Sequence, residues 1–320
     1  MLFINDDEAA GLLDMASART VVIDALVELA GGQAATSNPP GIFIRNEVVP
    51  CTYHVKGAYL GRRSIAGFRL AGFPRGAVPT GRLQMLVLTD LASSVPYAMI
   101  QSESLHPIRV GVAIALTIER LRHSGARSLA LLGAGRLARG TLEAIQAMTP
   151  FETVRVAASS LESSARFCGS TEVLRRMALV PVADAETACR DADVIVTLTS
   201  ANEALVRADW CKPGNLLVSA GGGQECEEQA ILQAARVFVD DWVQCSALGD
   251  IAVLYRQGLI KESDVESLAA VSVGRIAGRA GDDERMVAVP QGLAVLDIAI
   301  GHAVYEAAVA RRIGVKLDWH

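Results

Sequence analysis

The stretch SLALLGAGRLARG, residues 128–140, sets Gly133, Gly135 and Ala138 at the spacing G-x-G-x-x-A. That spacing suits one piece of chemistry, the cradling of a dinucleotide pyrophosphate. The first glycine permits a tight turn, the second lets the backbone approach the phosphates, and the small third residue lets helix and strand pack closely. Arg136 and Leu137 stand at the helix start, where unpaired backbone amides face a bound anion. A lone glycine turn recurs by chance in alanine-rich sequence, so its meaning depends on the elements around it.

Those elements alternate. Residues 128–132 have strand length, and 137–148 read as a helix. VRVAAS (154–159), ADVIVTLTS (192–200), GNLLVSAGGG (214–223) and ARVFVDDW (235–242) read as further strands, and DAETACRD is helix-like. Such alternation predicts a doubly wound parallel sheet, an α/β Rossmann-type fold. The second strand of such a sheet normally ends in an acid for the adenosine ribose. Here it ends Ala157-Ala158-Ser159-Ser160. Without the acid, repulsion toward a 2′-phosphate is gone, and Ser159 and Ser160 can donate to it. The strand end therefore favours NADP over NAD, although no arginine stands at it and only Arg136 and Arg139 of the turn could reach; the other reading is NAD bound more weakly without the acid.

Residues 42–100 have another character, with short β-rich runs (IFIRNEVVP, CTYHVKGAYL, SIAGFRLAGF, LQMLVLTD, PYAMIQS) after a helical segment at 16–30. They predict a separate α+β domain. In CTYHVKGAYL the alternation puts His54 and Lys56 on one face, which by itself reads as a solvated strand face. ESLHPIRVGVAIALTIERLRHSG then reads as a helix, with Pro107 in its first turn and Gly125 near its end. Arg109 sits in that first turn, where the helix dipole disfavours a cation. Two readings account for it: a substrate carboxylate held bidentately, or an ion pair with a nearby acid such as Glu103.

The 320 residues are 51% hydrophobic and 20% charged, with a formal net charge of −5. This gives no basic footprint for nucleic acid. No segment has the length and apolarity of a membrane span. The N-terminus turns acidic at once and lacks the basic start of a secretory signal, so a cytoplasmic protein is expected. The six cysteines are scattered without C-x-x-C or zinc spacing, and no metal site is expected. G-x-S-x-G and H-E-x-x-H are absent, which removes the hydrolase signatures.

VLTDLASSVPYAMIQSESLHPIRVGVAIAL (87–116), LALLGAGRLARGTLEAI, DADVIVTLTSANEALVRADWCKPG (191–214), VFVDDWVQC (237–245) and QGLAVLDIAIGHAVYEAAVARRIG (291–314) together resemble the ornithine cyclodeaminase/μ-crystallin family. The resemblance implies a Rossmann dinucleotide-binding domain, expected at 119–299, inserted in an α+β substrate-binding and dimerisation domain at 1–118 plus 300–320. It implies a homodimer that binds NAD(H) or NADP(H) and acts on small amino or imino acids. Some relatives convert ornithine to proline with loss of ammonia; others are dehydrogenases, imine reductases or binding proteins. By position, Arg109 matches the arginine for the substrate carboxylate. Thr199 and Ser200 match the loop beside the nicotinamide, and Asp297 an acid of the C-terminal helix. Arg45 is the candidate second substrate arginine, with Gly41 at that place in an alternative alignment.

Two departures stand out. Where ornithine-deaminating members carry a proton-handling lysine, GFRLAGFP places Arg69, which binds anions and cannot shuttle protons near neutrality. Where the family has an aspartate for the amine, the chain reads Gly221-Gly222-Gly223-Gln224-Glu225, and Glu225 alone could substitute. If its strand face lines the cleft, Lys56 could replace the missing lysine. The expected function is an NAD(P)-dependent oxidoreductase on a small α-amino or α-imino acid, its several arginines suiting a substrate with more than one acidic group. Ornithine cyclodeamination and an inactive nucleotide-binding homologue are the alternatives.

Overall fold

A computed structural model of the chain describes residues 1–46, 51–74, 82–170, 176–201 and 203–318. The end of the run IFIRNEVVP, residues 47–50, lies outside them. The chain divides into two compact units, Met1–Arg109 with Leu293–His320, and Val110–Gly292. The expectation from sequence set the divisions at 118/119 and 299/300. The helix Leu105–Leu121 runs through the first division, and the helix Ala294–Arg311 begins at the second. Apolar helical sequence therefore continues across or up to both divisions and signals neither.

In the first unit, β1 (Leu2–Ile4), β2 (Ala34–Thr36), β3 (Ile42–Asn46), β4 (Cys51–Leu60), β5 (Ile65–Pro74), β6 (Gln84–Asp90) and β7 (Pro96–Gln101) form one sheet. Its order is β1-β7-β6-β5-β4-β2, with β3 also on β4 and the short strand Val315–Lys316 on β1. The helices α1 (Asp6–Ala10) and α2 (Met15–Ala30) start at side-chain caps, Asn5 and Asp14. These caps satisfy amides that the first helical turn leaves unpaired.

The C-terminal helix Ala294–Arg311 packs across β4, β5 and β6 and against α2. Its sequence AVLDIAIGHAVYEAAVAR is apolar on nearly all sides, as burial between a sheet and a helix requires. The inward face of the sheet is closed, with Leu60, Leu86, Leu88 and Ile100 at most 2% exposed. The opposite face is open and apolar. Ile42, Ile44, Tyr53, Tyr59 and Phe68 are 39–57% exposed on it, and the cross-strand register places them together.

The second unit holds β8 (Ser128–Leu132), β9 (Thr153–Ala157), β10 (Ala178–Pro181), β11 (Val194–Thr197), β12 (Leu216–Ser219), β13 (Arg236–Val239), β14 (Glu266–Ser267) and β15 (Met286–Val289). They form a parallel sheet in the order β10-β9-β8-β11-β12-β15-β13-β14. Strands β11, β12 and β15 are buried at every residue, the signature of a sheet covered on both faces. The order reverses between β8 and β11, the switch point where ligands bind in such sheets. The helix α3 (Leu105–Leu121) precedes β8, with Pro107 in its first turn as expected. It stops at Leu121, and the chain turns through Gly125 outside it. The strands β10, β14 and β15, two to four residues long, are not among those read from the sequence. No helix among the described residues is long and apolar enough to cross a membrane.

Candidate active site

The glycine turn joins β8 to α4 (Arg136–Met148). Gly133 has φ +116°, and a Cβ on it would lie 2.5 Å from the Leu198 carbonyl oxygen. Backbone conformation and space both restrict the position to glycine. Its amide donates to the Ala157 carbonyl at 2.8 Å, tying the turn to the end of β9. Gly135 is the N-cap of α4 without any side-chain cap, and the space where its Cβ would stand is open. Ala138 is fully buried. An uncapped helix start under open space fits a pyrophosphate.

At the end of β9, Ser159 is exposed. Ser160 caps the helix α5 (Leu161–Ser170), accepting from the Ser163 amide at 3.1 Å and donating to the Ser163 hydroxyl at 3.0 Å. Beside the turn lies a cavity of about 390 Å³ lined by Gly135, Arg136, Arg139, Ser163, Arg166 and Ser170 among others. Arg139 is held at its rim by the Ser170 carbonyl and hydroxyl, at 3.1 and 2.8 Å.

Glu225 lies at the ends of β11 and β12 and is fully buried. Its carboxylate accepts from the Thr197 hydroxyl at 2.6 Å, the Thr199 amide and hydroxyl at 2.8 and 2.5 Å, and the Gly221 amide at 2.8 Å. Burial pushes its pKa up, and these donors oppose the rise. Asp250, also buried, accepts from the Glu225 and Cys226 amides and from the Ser219 hydroxyl. The two acids thus fix the loops after both strands, Thr199 and Gly221 included. Ser200, next to Thr199, is exposed.

The second cluster belongs to the first unit. The inward face of β4 and β5 carries Lys56 and Arg69 directly opposite each other in the strand register. Both are only 4% exposed, so the solvated-face reading of Lys56 is corrected. The alternation assigned the face; what covers it is the C-terminal helix, some 240 residues downstream, packed across β4 and β5. Arg109 is equally buried, and its Nε and one terminal nitrogen donate to the two carboxylate oxygens of Asp297 at 2.9 and 3.2 Å. The acid beside Arg109 is thus Asp297, and not Glu103. Arg69 Nε lies 3.9 Å from the same carboxylate, and Arg69 donates to Gln84 Oε1 at 2.6 Å. Arg45, on β3, is exposed and stacks over the Phe43 ring. It shares a face with His54 and Lys56 through its pairing with Thr52, so it stands at the open rim of this cluster and outside its buried part. Gly41 packs against the His54 imidazole, which fills the space any side chain there would need.

Gln84 escaped the reading of the sequence. Its signal was a polar residue at an inward position of LQMLVLTD, in step with Leu86 and Leu88. His54 stacks on Phe43 at 4.0 Å and is 8% exposed. Burial, with help from the positive charges of Lys56 and Arg69, lowers its pKa from 6.5 to about 3, against the attraction of Asp297. A depressed histidine pKa lets the unfolded chain take up a proton that the folded chain refuses. That stability is whole above pH 6.5 and falls as the pH drops from 6.5 toward 3, by at most about 1.4 kcal/mol per pH unit. Urea midpoints of wild type and His54→Phe between pH 7 and 5 should diverge, with the flatter slope in the variant. Parallel slopes would place the acid sensitivity elsewhere.

Comparison with known proteins agrees with this geometry. A family model described as the ornithine cyclodeaminase/mu-crystallin family matches residues 6–312. Alanine dehydrogenase of Archaeoglobus fulgidus is 26% identical over 325 residues, covering 99% of this chain and 98% of that protein. A Delta(1)-pyrroline-2-carboxylate reductase of Bacillus cereus is 29% identical over 242 residues, 73% of this chain and 74% of its own length. The structure of an archaeal alanine dehydrogenase dimer with bound NAD superposes with a TM-score of 0.91 at 26% identity, covering 100% of this chain and 99% of that one. With the glycine turn, the parallel sheet and the arginine-bearing helix all in place, the chain belongs to the ornithine cyclodeaminase/μ-crystallin family.

Proposed function

We propose that the protein is an NAD(P)-dependent oxidoreductase acting at Cα of a small α-amino or α-imino acid. The observation that carries this reading is the buried set formed by Lys56 and Arg69 on one sheet face with the helix residues Arg109 and Asp297, in a chain whose glycine turn fits a dinucleotide. Its relatives bear the names alanine dehydrogenase and pyrroline-2-carboxylate reductase, and the archaeal relative holds NAD.

The bound nicotinamide supplies or accepts the hydride. The chain's own residues do the rest. Arg109 presents a guanidinium to the substrate carboxylate, its orientation fixed by the Asp297 chelate. Lys56 exchanges the proton at the substrate nitrogen, a task open to lysine and closed to arginine. Arg69 binds and does not titrate, and Arg45 guards the rim. Gly133, Gly135, Leu137 and Ala138 form the phosphate turn, and Thr199 and Ser200 the wall beside the nicotinamide. Glu225 acts by holding Thr199 and Gly221 in place, with three of its four donors on those two residues and the fourth on Thr197 at the end of β11.

NADP is the preferred nucleotide in this reading. No acid ends β9, and the arginine-lined cavity beside the turn offers Arg136, Arg139 and Arg166 to a 2′-phosphate. One charge-assisted hydrogen bond, worth about 1.5–3 kcal/mol, corresponds to at least tenfold in affinity. Fluorescence titration, with energy transfer from Trp210 and Trp242 to reduced nucleotide, should give NADPH about tenfold tighter than NADH. Arg139→Gln should narrow the gap, and tighter NADH would reverse the assignment. The same reading makes the protein a homodimer. The open apolar face around Tyr53, Tyr59 and Phe68 is the surface that a second copy would cover.

A further inference from the structure

We infer that the substrate carries a second carboxylate, received by Arg69 and Gln84, so that its class is an α-amino or α-imino dicarboxylic acid. This deepens the oxidoreductase reading and rests on it for the first carboxylate, the one on Arg109.

Gln84 is the key. It enters the inward face at the first residue of β6 and is 2% exposed. Its Oε1 accepts from Arg69 at 2.6 Å, which fixes the amide orientation and leaves Nε2 as the donor end. That Nε2 is buried without a hydrogen-bond partner among the described residues. A buried donor left unmet costs about 1–3 kcal/mol, so such a group in a folded protein calls for an explanation. An acceptor brought by a ligand supplies one. Asp297, 3.9 Å from Arg69 Nε, chelates Arg109 with both oxygens, and the Gln84 Nε2 makes no hydrogen bond to it. The acceptor therefore comes with the substrate. A guanidinium beside an amide N–H forms a fork that fits the two oxygens of a carboxylate.

The same pair discriminates. A terminal ammonium, as in ornithine, would put a like charge beside Lys56 and Arg69. A methyl group would leave the Gln84 donor unmet, and sites built around a hydrogen bond reject analogues that lack it. In the reductive direction a 2-oxo dicarboxylate condenses with ammonia, losing water to form the imine. The hydride then adds to the imine carbon and a proton to its nitrogen, giving the amino dicarboxylate and oxidised nucleotide.

The test uses the full chain with saturating NADPH or NADH and reads two quantities. One is the shift in Tm caused by succinate against that caused by butyrate, which has the same length and one charge fewer. The other is nucleotide oxidation with ammonium and oxaloacetate or 2-oxoglutarate, against pyruvate or 2-oxobutyrate. Succinate should raise Tm where butyrate does not, and kcat/KM should favour the dicarboxylates by at least about 10²-fold. Gln84→Leu, checked for native circular dichroism, should abolish the succinate shift and raise the KM for oxaloacetate at least about tenfold. Equal shifts from the two acids, or a succinate preference that survives in Gln84→Leu, would overturn the inference. Turnover confined to monocarboxylates would also overturn it, while leaving the oxidoreductase reading standing. A Gln84-dependent succinate shift without any nucleotide oxidation would do the reverse. No shift and no turnover would sink both.

Discussion

Lys56→Met is expected to lower kcat by about 10²–10⁴-fold, the range that a positioned proton-transfer group contributes, with nucleotide affinity unchanged. An arginine stays protonated at any working pH, so a proton moving at the substrate nitrogen needs another carrier. Lys56 is the direct cross-strand neighbour of Arg69, 4% exposed, and on the same covered face. Opposed residues in an antiparallel pair stand about 5 Å apart at Cβ, close enough for one to take over the other's task. A rescue experiment follows from this adjacency. Adding Arg69→Lys to Lys56→Met should restore part of the lost rate, whereas Lys56→Arg should remain as slow as Lys56→Met. Steady-state rates at saturating nucleotide, beside single-turnover traces, separate chemistry from product release. Wild-type turnover in Lys56→Met would return the lysine to a packing role.

Asp297→Asn is expected to destabilise the protein by about 3–5 kcal/mol, the usual consequence of removing one member of a buried ion pair. The size follows from what is left behind. Arg109 loses a two-pronged acceptor, and Arg69 loses a neighbouring charge, in surroundings where each side chain is at most 5% exposed. Arg109→Met alone should cost a similar amount, for the carboxylate then loses its chelating partner. The double variant Arg109→Met with Asp297→Asn should cost clearly less than the sum, because neither member of the pair is left facing a missing partner. Urea denaturation of the four proteins measures this coupling. Additive losses would mean that the pair is ordinary packing. Arg109→Met should in addition weaken substrate binding, seen as a raised KM, which a purely structural role would not produce.

Much of the nucleotide half was written locally. The spacing of Gly133, Gly135 and Ala138 prescribes a turn, and the observed positive φ of Gly133 is what such a turn requires. The run Ser128–Leu132 and its successors announce a parallel sheet because strands buried on both faces are apolar without alternation. The arginine in the first turn of α3 signalled a missing anion through the helix dipole alone. None of this needs a distant residue, so a linear sequence states it.

The substrate half was legible only as a set of candidates. Period-two alternation assigned Lys56 and His54 to one face, yet whether that face is wet depends on the C-terminal helix laid across it. Arg109 had to have a counter-charge, but its identity as Asp297, 188 residues away, is a fact of packing. Gln84 looked like any polar residue near a strand start until its amide was found locked to Arg69 with its nitrogen end unmet. Glu225, a candidate acid by default, turned out to be surrounded by four donors, one from the end of β11 and three from the two loops that follow β11 and β12. Sequence by itself determined the elements, the glycine turn and the faces of the strands, because steric and periodic rules act over a few residues. Tertiary structure decided which charges are buried and what each one meets, because desolvation and pairing depend on groups that the chain brings together only when it folds.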